Sequence, residues 1–257
     1  MTGALRAEGR VLGALVLRET RAAFGQARLG YLWALIGPVL GTALLAGLFA
    51  VAGRHPPFGQ SFALFFATCL LPVDFVTRMS LGLMQSVAVS RPLFGFRQVR
   101  PFDVLLARFL LLSATHSLAF LIVFGGLISM GLADWPTWPE RVLAAWTATA
   151  ALGLGLGMVN ACLAAHWPGW AQVAAILFRP LVLLSGLFYL PVLLPPDLWA
   201  LLRWNPVLHL VEWLREGIYA GYLSSGTVAA FPVGLALSLI LLGLLGERLS
   251  RRRLVAG

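Results

Sequence analysis

His209 and Glu212 stand three residues apart, so on a helix both would project from one face. Such a pair could begin a zinc site or serve as an acid–base couple at a membrane surface. No second cluster supplies the remaining metal ligands. Glu212 with Arg215, again three apart, reads more simply as an ion pair along one helix. Asp74 and Arg78 are spaced i, i+4 in an otherwise apolar stretch. Charges at membrane depth are costly and functional by default, but this spacing also lets the two neutralise each other. Arg179, just before Pro180, has no acid near it in sequence. Either it snorkels to an interface, or it faces a polar cavity and attracts an anion. The hydrolase patterns H-E-x-x-H and G-x-S-x-G are absent.

The elements that carry these residues belong to a membrane protein. Of the 257 residues, 60% are apolar and 11% are charged, too apolar for a soluble domain of this length. All 19 basic residues are Arg. Without Lys the chain cannot build a P-loop of the usual form, so any ATP must be hydrolysed by another subunit. The net charge of +9 is explained by membrane orientation before nucleic acid, because cytoplasmic flanks retain basic residues. Cys69 and Cys162 both fall in apolar segments and read as buried small hydrophobes. No cleavable signal peptide is expected, since the first apolar run begins near residue 29 after a long polar lead.

A bilayer span takes about 20 apolar residues. On that measure spans one to six are expected at residues 29–53, 55–78, 109–133, 142–165, 170–190 and within 227–246. Pro168 and Gly169 separate the fourth from the fifth. The fold class is therefore all-α, a polytopic membrane protein of six transmembrane helices. Residues 1–28 form an amphipathic interface helix, residues 29–250 the transmembrane domain and residues 251–257 a basic tail. Twelve arginines lie on the side of the termini and four on the other, which makes both termini cytoplasmic. In the first segment Arg6, Arg10, Arg18, Arg21 and Arg28 share one face, opposite Leu5, Leu12, Leu15 and Val16. That pattern suits either a topology anchor or a mechanical handle fused to span one.

Residues 189–222 are too apolar for a solvated loop and too interrupted by Pro191, Pro195, Pro196 and Pro206 to span. They read as short re-entrant helices, with Asn205 and Pro206 as N-cap and first residue of the longer one. G-x-x-x-G recurs at Gly37/Gly41, Gly153/Gly157 and Gly217/Gly221 and permits close helix approach.

Three blocks, Leu17–Pro38, Arg91–Arg108 and Trp204–Gly226, resemble the inner-membrane permeases of type-2 ABC exporters, in particular the KpsM-type permeases of capsule polysaccharide export. One departure is Gly37 before Pro38, where many relatives carry Glu. The resemblance implies a homodimer with two copies of a separate ATPase, which holds the ATP and Mg; the chain itself would need no cofactor. It implies a lipid-linked, often acidic glycan as substrate, together with periplasmic adaptor and outer-membrane export proteins, in the bacterial inner membrane. It places ATPase coupling at Arg18, Glu19, Arg21, Phe24 and Arg28 of the interface helix, and at Arg91, Pro92, Leu93 and Phe94 of a coupling helix near residues 85–97. The gate would be the re-entrant helices of residues 191–222.

A glycan path should offer aromatic platforms and cations. Tyr189, Trp204, Trp213, Tyr219 and Tyr222 are candidates for the first, and Arg78, Arg179, Arg203 and Arg215 for the second, with His209 and Glu212 beside them at the gate. Any single aromatic among these could instead be an interfacial anchor. Export of O-antigen, teichoic acid or a drug is an alternative within the same class. Outside it stand a membrane-embedded enzyme on lipid-linked sugars, using His209 and Glu212, and a secondary transporter carrying protons on Asp74.

Overall fold

The computed structural model describes residues 13–21, 29–95, 99–224, 226 and 228–256. Residues 13–21 are helical (α1). They are followed by α2 (Leu29–Val51), α3 (Phe62–Val89), a 3-10 turn (Arg91–Gly95), α4 (Pro101–Ser129), α5 (Pro139–His166), α6 (Trp170–Phe178), α7 (Leu181–Leu184), a second 3-10 turn (Pro191–Leu193), α8 (Pro196–Leu202), α9 (Pro206–Ile218) and α10 (Ala230–Ala256). There is no strand among the described residues. By length and composition α3, α4, α5 and α10 can each cross a membrane, and shorter apolar helix occupies Leu35–Val51 and Trp170–Leu184.

Local chemistry starts these helices where they are needed. Ser61 caps α3 by accepting from the Leu64 N–H, and Asp103 accepts from the Arg100 N–H at the head of α4. Pro101, Pro139 and Pro206 occupy first-turn positions, where a missing N–H costs nothing. α3 is the axis of the bundle and packs against α2, α4, α5 and α9. Its 28 residues span about 40 Å, which sets its two ends far apart.

α5 lies between α3 and α10 because its glycines open both faces. A Cβ on Gly153 or Gly157 would stand 2.8 Å from Met79 or Leu83 of α3, and one on Gly155 would stand 2.8 Å from Leu239 of α10. The G-x-x-x-G at Gly153/Gly157 is thus an internal helix contact. At Gly37 and Gly41 a Cβ would meet nothing within 4 Å.

Several boundaries differ from expectation. The helix of span three starts at Pro101, eight residues before the expected Phe109, because Asp103 accepts from the Arg100 N–H and caps the helix there. Span two starts at Phe62, because residues 52–61 turn through Pro56 and Pro57. Span five breaks at Arg179–Pro180, since proline cannot donate to the helix ladder and crowds the turn before it; residues 185–190 are then unwound. In place of a coupling helix over 85–97, α3 runs on to Val89 and a 3-10 turn covers Arg91–Gly95, while 96–98 lie outside the described residues. The basic tail is the last part of α10, and Leu254 is buried in the same core cluster as Leu15 and Phe94.

Candidate functional site

The conspicuous polar groups fall into three places along α3. At its first end, α9 and the unwound stretch after α7 are clasped together. Asn205 caps α9 by accepting from the Val207 N–H at 3.0 Å, and its amide donates to Leu184 O and Ser185 Oγ, both at 3.1 Å. Arg215 is 0% exposed. It donates to Gly186 O at 2.8 Å and Thr68 Oγ1 at 3.1 Å, lies 3.4 Å from Glu212 Oε1 and stacks 4.1 Å over the Phe65 ring. Gly186 has φ +84°, and the turn that offers its carbonyl to Arg215 therefore favours glycine. The Tyr222 hydroxyl donates to Glu212 at 2.6 Å. Burial raises the Glu212 pKa above its ordinary value, against the opposing pull of the Arg215 charge and the Tyr222 hydrogen bond.

This clasp satisfies backbone that would otherwise be unpaired in an apolar setting, the condition under which irregular backbone is tolerated at membrane depth. It also encloses Glu212 and Arg215 within the protein. His209 has both ring nitrogens occupied: Nε2 lies 2.7 Å from Arg203 O, and Nδ1 accepts the Val228 N–H at 3.3 Å. His209 and Glu212 therefore have separate partners and form no acid–base couple in this geometry. Tyr219 is buried between Phe58 and Tyr222, and Trp213 is half-buried against both core clusters. Trp204 and Arg203 are exposed, with the guanidinium 5.5 Å from the indole centroid, and Tyr189 is half-buried, donating to Leu184 O.

Midway along α3 lies a cavity of about 480 Å³ between α2, α3 and α6, within the size range of small-molecule sites. Gly37 and Gly41, Asp74 and Arg78, and Phe178 and Arg179 line its three walls. The small residues leave room, and the break at Pro180 brings Arg179 to the rim. Arg78 keeps 60% of its side chain exposed and donates from Nε to Asp74 Oδ1 at 2.6 Å. The structure thus brings Arg78 and Arg179 into one groove and separates them from Arg203 and Arg215.

At the far end of α3, residues of α1 meet the turn between α3 and α4. Arg18 donates to Ser90 Oγ at 2.9 Å, and the buried Glu19 carboxylate lies 3.3 Å from Arg108 Nη1. Leu15, Phe94 and Leu254 share the core cluster there. Arg91 and Leu93 are half-buried, while Pro92 and Arg21 are exposed. Arg6, Arg10, Phe24 and Arg28 lie outside the described residues.

The pattern of the ABC-2 type transporter membrane domain matches residues 10–219, well over half of the chain. The chain belongs to the ABC-2 type transporter family. Among the relatives of this ABC-2 protein, the "Polysialic acid transport protein KpsM" of Escherichia coli is 29% identical over 90% of each chain. The "Capsule polysaccharide export inner-membrane protein CtrC" of Neisseria meningitidis serogroup A is 27% identical over 91% of this chain and 89% of its own. The corresponding BexB protein of Haemophilus influenzae is 27% identical over 93% and 91%. Sequence reasoning missed His116 and Arg108, inside the matched residues, and Leu254, beyond them. His116 carried a signal, being an ionisable residue inside a predicted span. Arg108 lies just before one, and nothing local distinguishes Leu254 from its neighbours.

Proposed function

We propose that the chain is the transmembrane subunit of an ABC exporter that moves a lipid-linked, acidic capsular polysaccharide across the inner membrane. The observation that carries this reading is the likeness, over about nine tenths of the chain, to permeases named for polysialic acid and capsule export. The groove supports it, since an acidic polymer is suited by arginines on an accessible wall. Six helical passages are proposed, the broken α6–α7 pair serving as the fifth, with both termini cytoplasmic by the arginine asymmetry.

On that orientation α1, the Arg91–Gly95 turn and the end of α10 form a cytoplasmic platform. A separate ATPase, present in two copies and holding ATP and Mg, grips that platform, and the chain needs no cofactor of its own. Two copies of the chain enclose the path, with α8 and α9 as its outer gate and periplasmic and outer-membrane proteins receiving the polymer. The Glu19–Arg108 and Arg18–Ser90 contacts supply a stiff connection from α1 to α3 and α4.

The test is reconstitution with the partner ATPase and a lipid-linked acidic oligosaccharide. ATP-dependent movement of the oligosaccharide into or out of vesicles is expected. ATPase activity unaffected by the chain, together with no movement of polymer, overturns the reading.

A further inference from the structure

The floor of the groove holds a contact that the export reading does not use. Asp74 Oδ2 is buried and has no hydrogen-bond partner among the described residues. The polar atom facing it is His116 Nε2, at 3.5 Å. The other ring nitrogen, Nδ1, lies 2.9 Å from Leu112 O, a contact that requires a hydrogen on Nδ1. A neutral His116 would then turn a lone pair toward a carboxylate oxygen, whereas an imidazolium would present an N–H to it. His116 is fixed in place by stacking on Phe75, with ring centroids 4.8 Å apart, and Phe75 is backed by Trp146 of α5. The charged group facing His116 is Asp74 of α3, whose other oxygen binds Arg78; α5 brings Trp146, α2, which also packs on α4, carries no charged residue, and α10, the remaining neighbour of α4, carries its charges only from Glu247 onward.

The second oxygen of Asp74 binds Arg78 through Nε alone, at 2.6 Å. Both terminal amino groups of that guanidinium therefore remain for a planar anion, the edge that suits bidentate recognition of carboxylate or phosphate. Unopposed, Asp74 would compete for Arg78 and cancel its charge. A donor on Nε2 behind Asp74 takes up part of that carboxylate's hydrogen-bonding capacity, and the groove keeps the positive charges of Arg78 and Arg179.

We propose that His116 is a positioning residue for anion recognition: it holds Asp74 from behind, and Asp74 aims Arg78 at a carboxylate or phosphate of the transported molecule. The proposal rests on the groove being part of the export path and names the chemistry it recognises. Arg78 makes the contact, and His116 acts through Asp74.

The test uses the full chain in detergent and fluorescence anisotropy with labelled oligogalacturonate, a carboxylated probe, beside labelled dextran oligosaccharide, a neutral one. Arg78→Gln is expected to weaken oligogalacturonate binding roughly tenfold or more, and His116→Ala roughly three- to tenfold, with dextran unchanged by either. His116→Gln, whose amide can donate to Asp74, should retain most of the affinity. The decisive comparison is a double-mutant cycle: in an Asp74→Asn background His116→Ala should have no further effect, whereas a purely structural His116 costs the same in both backgrounds and overturns the proposal.

A parallel arm uses dihexanoyl phosphatidate. Binding of oligogalacturonate that depends on Arg78 assigns the anion to the glycan, and Arg78-dependent binding of phosphatidate alone assigns it to a lipid-anchor phosphate. No dependence on Arg78 with either probe overturns the proposal. ATP-driven export is read separately, so a chain that exports normally without an Arg78-dependent anion site loses this inference and keeps its function.

Discussion

Arg215 and Arg78 occupy two regions that use the same side chain in opposite ways. Arg215, in the clasp, has every direction of its guanidinium taken up by Gly186, Thr68, Glu212 and the Phe65 ring, and it is 0% exposed. Arg78, in the groove, spends one N–H on Asp74 and leaves the rest of its fork open. Burial makes the first a fastener. It holds the short α9 against α3 and gives the unwound turn after α7 a donor it cannot find within itself. Exposure makes the second available for a ligand. The difference lies in the surroundings: Phe65 and Gly186 close over Arg215, whereas Gly37 and Gly41 leave space opposite Arg78.

The largest test of this contrast is Arg215→Met. It strands the buried Glu212 and the Gly186 carbonyl and is expected to remove about 3–5 kcal/mol of stability, seen as a large drop in thermal unfolding temperature and in monodisperse yield. A variant as stable as the parent would end the fastener interpretation. Next is Gly153→Leu, which drives a side chain into Met79; overpacking of this kind costs about 1–3 kcal/mol, while Gly37→Leu, facing the cavity, should leave unfolding unchanged and reduce export. Equal destabilisation by the two would show that α2 is as tightly enclosed as α5. Asn205→Ala follows, at about 1 kcal/mol for the lost helix cap, and protease sensitivity should rise within residues 184–205. Smallest in stability is Arg78→Gln: its partly exposed pair with Asp74 contributes at most about 0.5 kcal/mol after solvent screening. Unfolding should be nearly unchanged while ATP-driven export falls, and a stability loss as large as that of Arg215→Met would erase the distinction between the regions.

Much of the helical framework was legible because its signals are local. Apolar runs marked α3, α4, α5 and α10, and Asn205 with Pro206 announced the start of α9 through capping chemistry that needs no tertiary information. The groove was half legible. Arg78 and Arg179 stood out as charges in apolar segments, but they are 101 positions apart, and no local rule shows that a break at Pro180 carries one to the other. Arg215 is less legible still. Its spacing from Glu212 correctly suggested a pair within one helix, yet an arginine near a candidate gate looks the same in sequence whether it faces substrate or a backbone carbonyl. The tail misleads for a related reason. Arg248, Arg251, Arg252 and Arg253 read as a solvated end, and Leu254, which buries the end of α10 in the core cluster, is outvoted by its neighbours.

The most direct measurement of the central claim is transport by vesicles containing the purified chain, with and without its ATPase partner, using a lipid-linked acidic oligosaccharide. The account predicts movement that requires both the ATPase and ATP, with none from the chain alone. Sustained export against a gradient by the chain alone would contradict it.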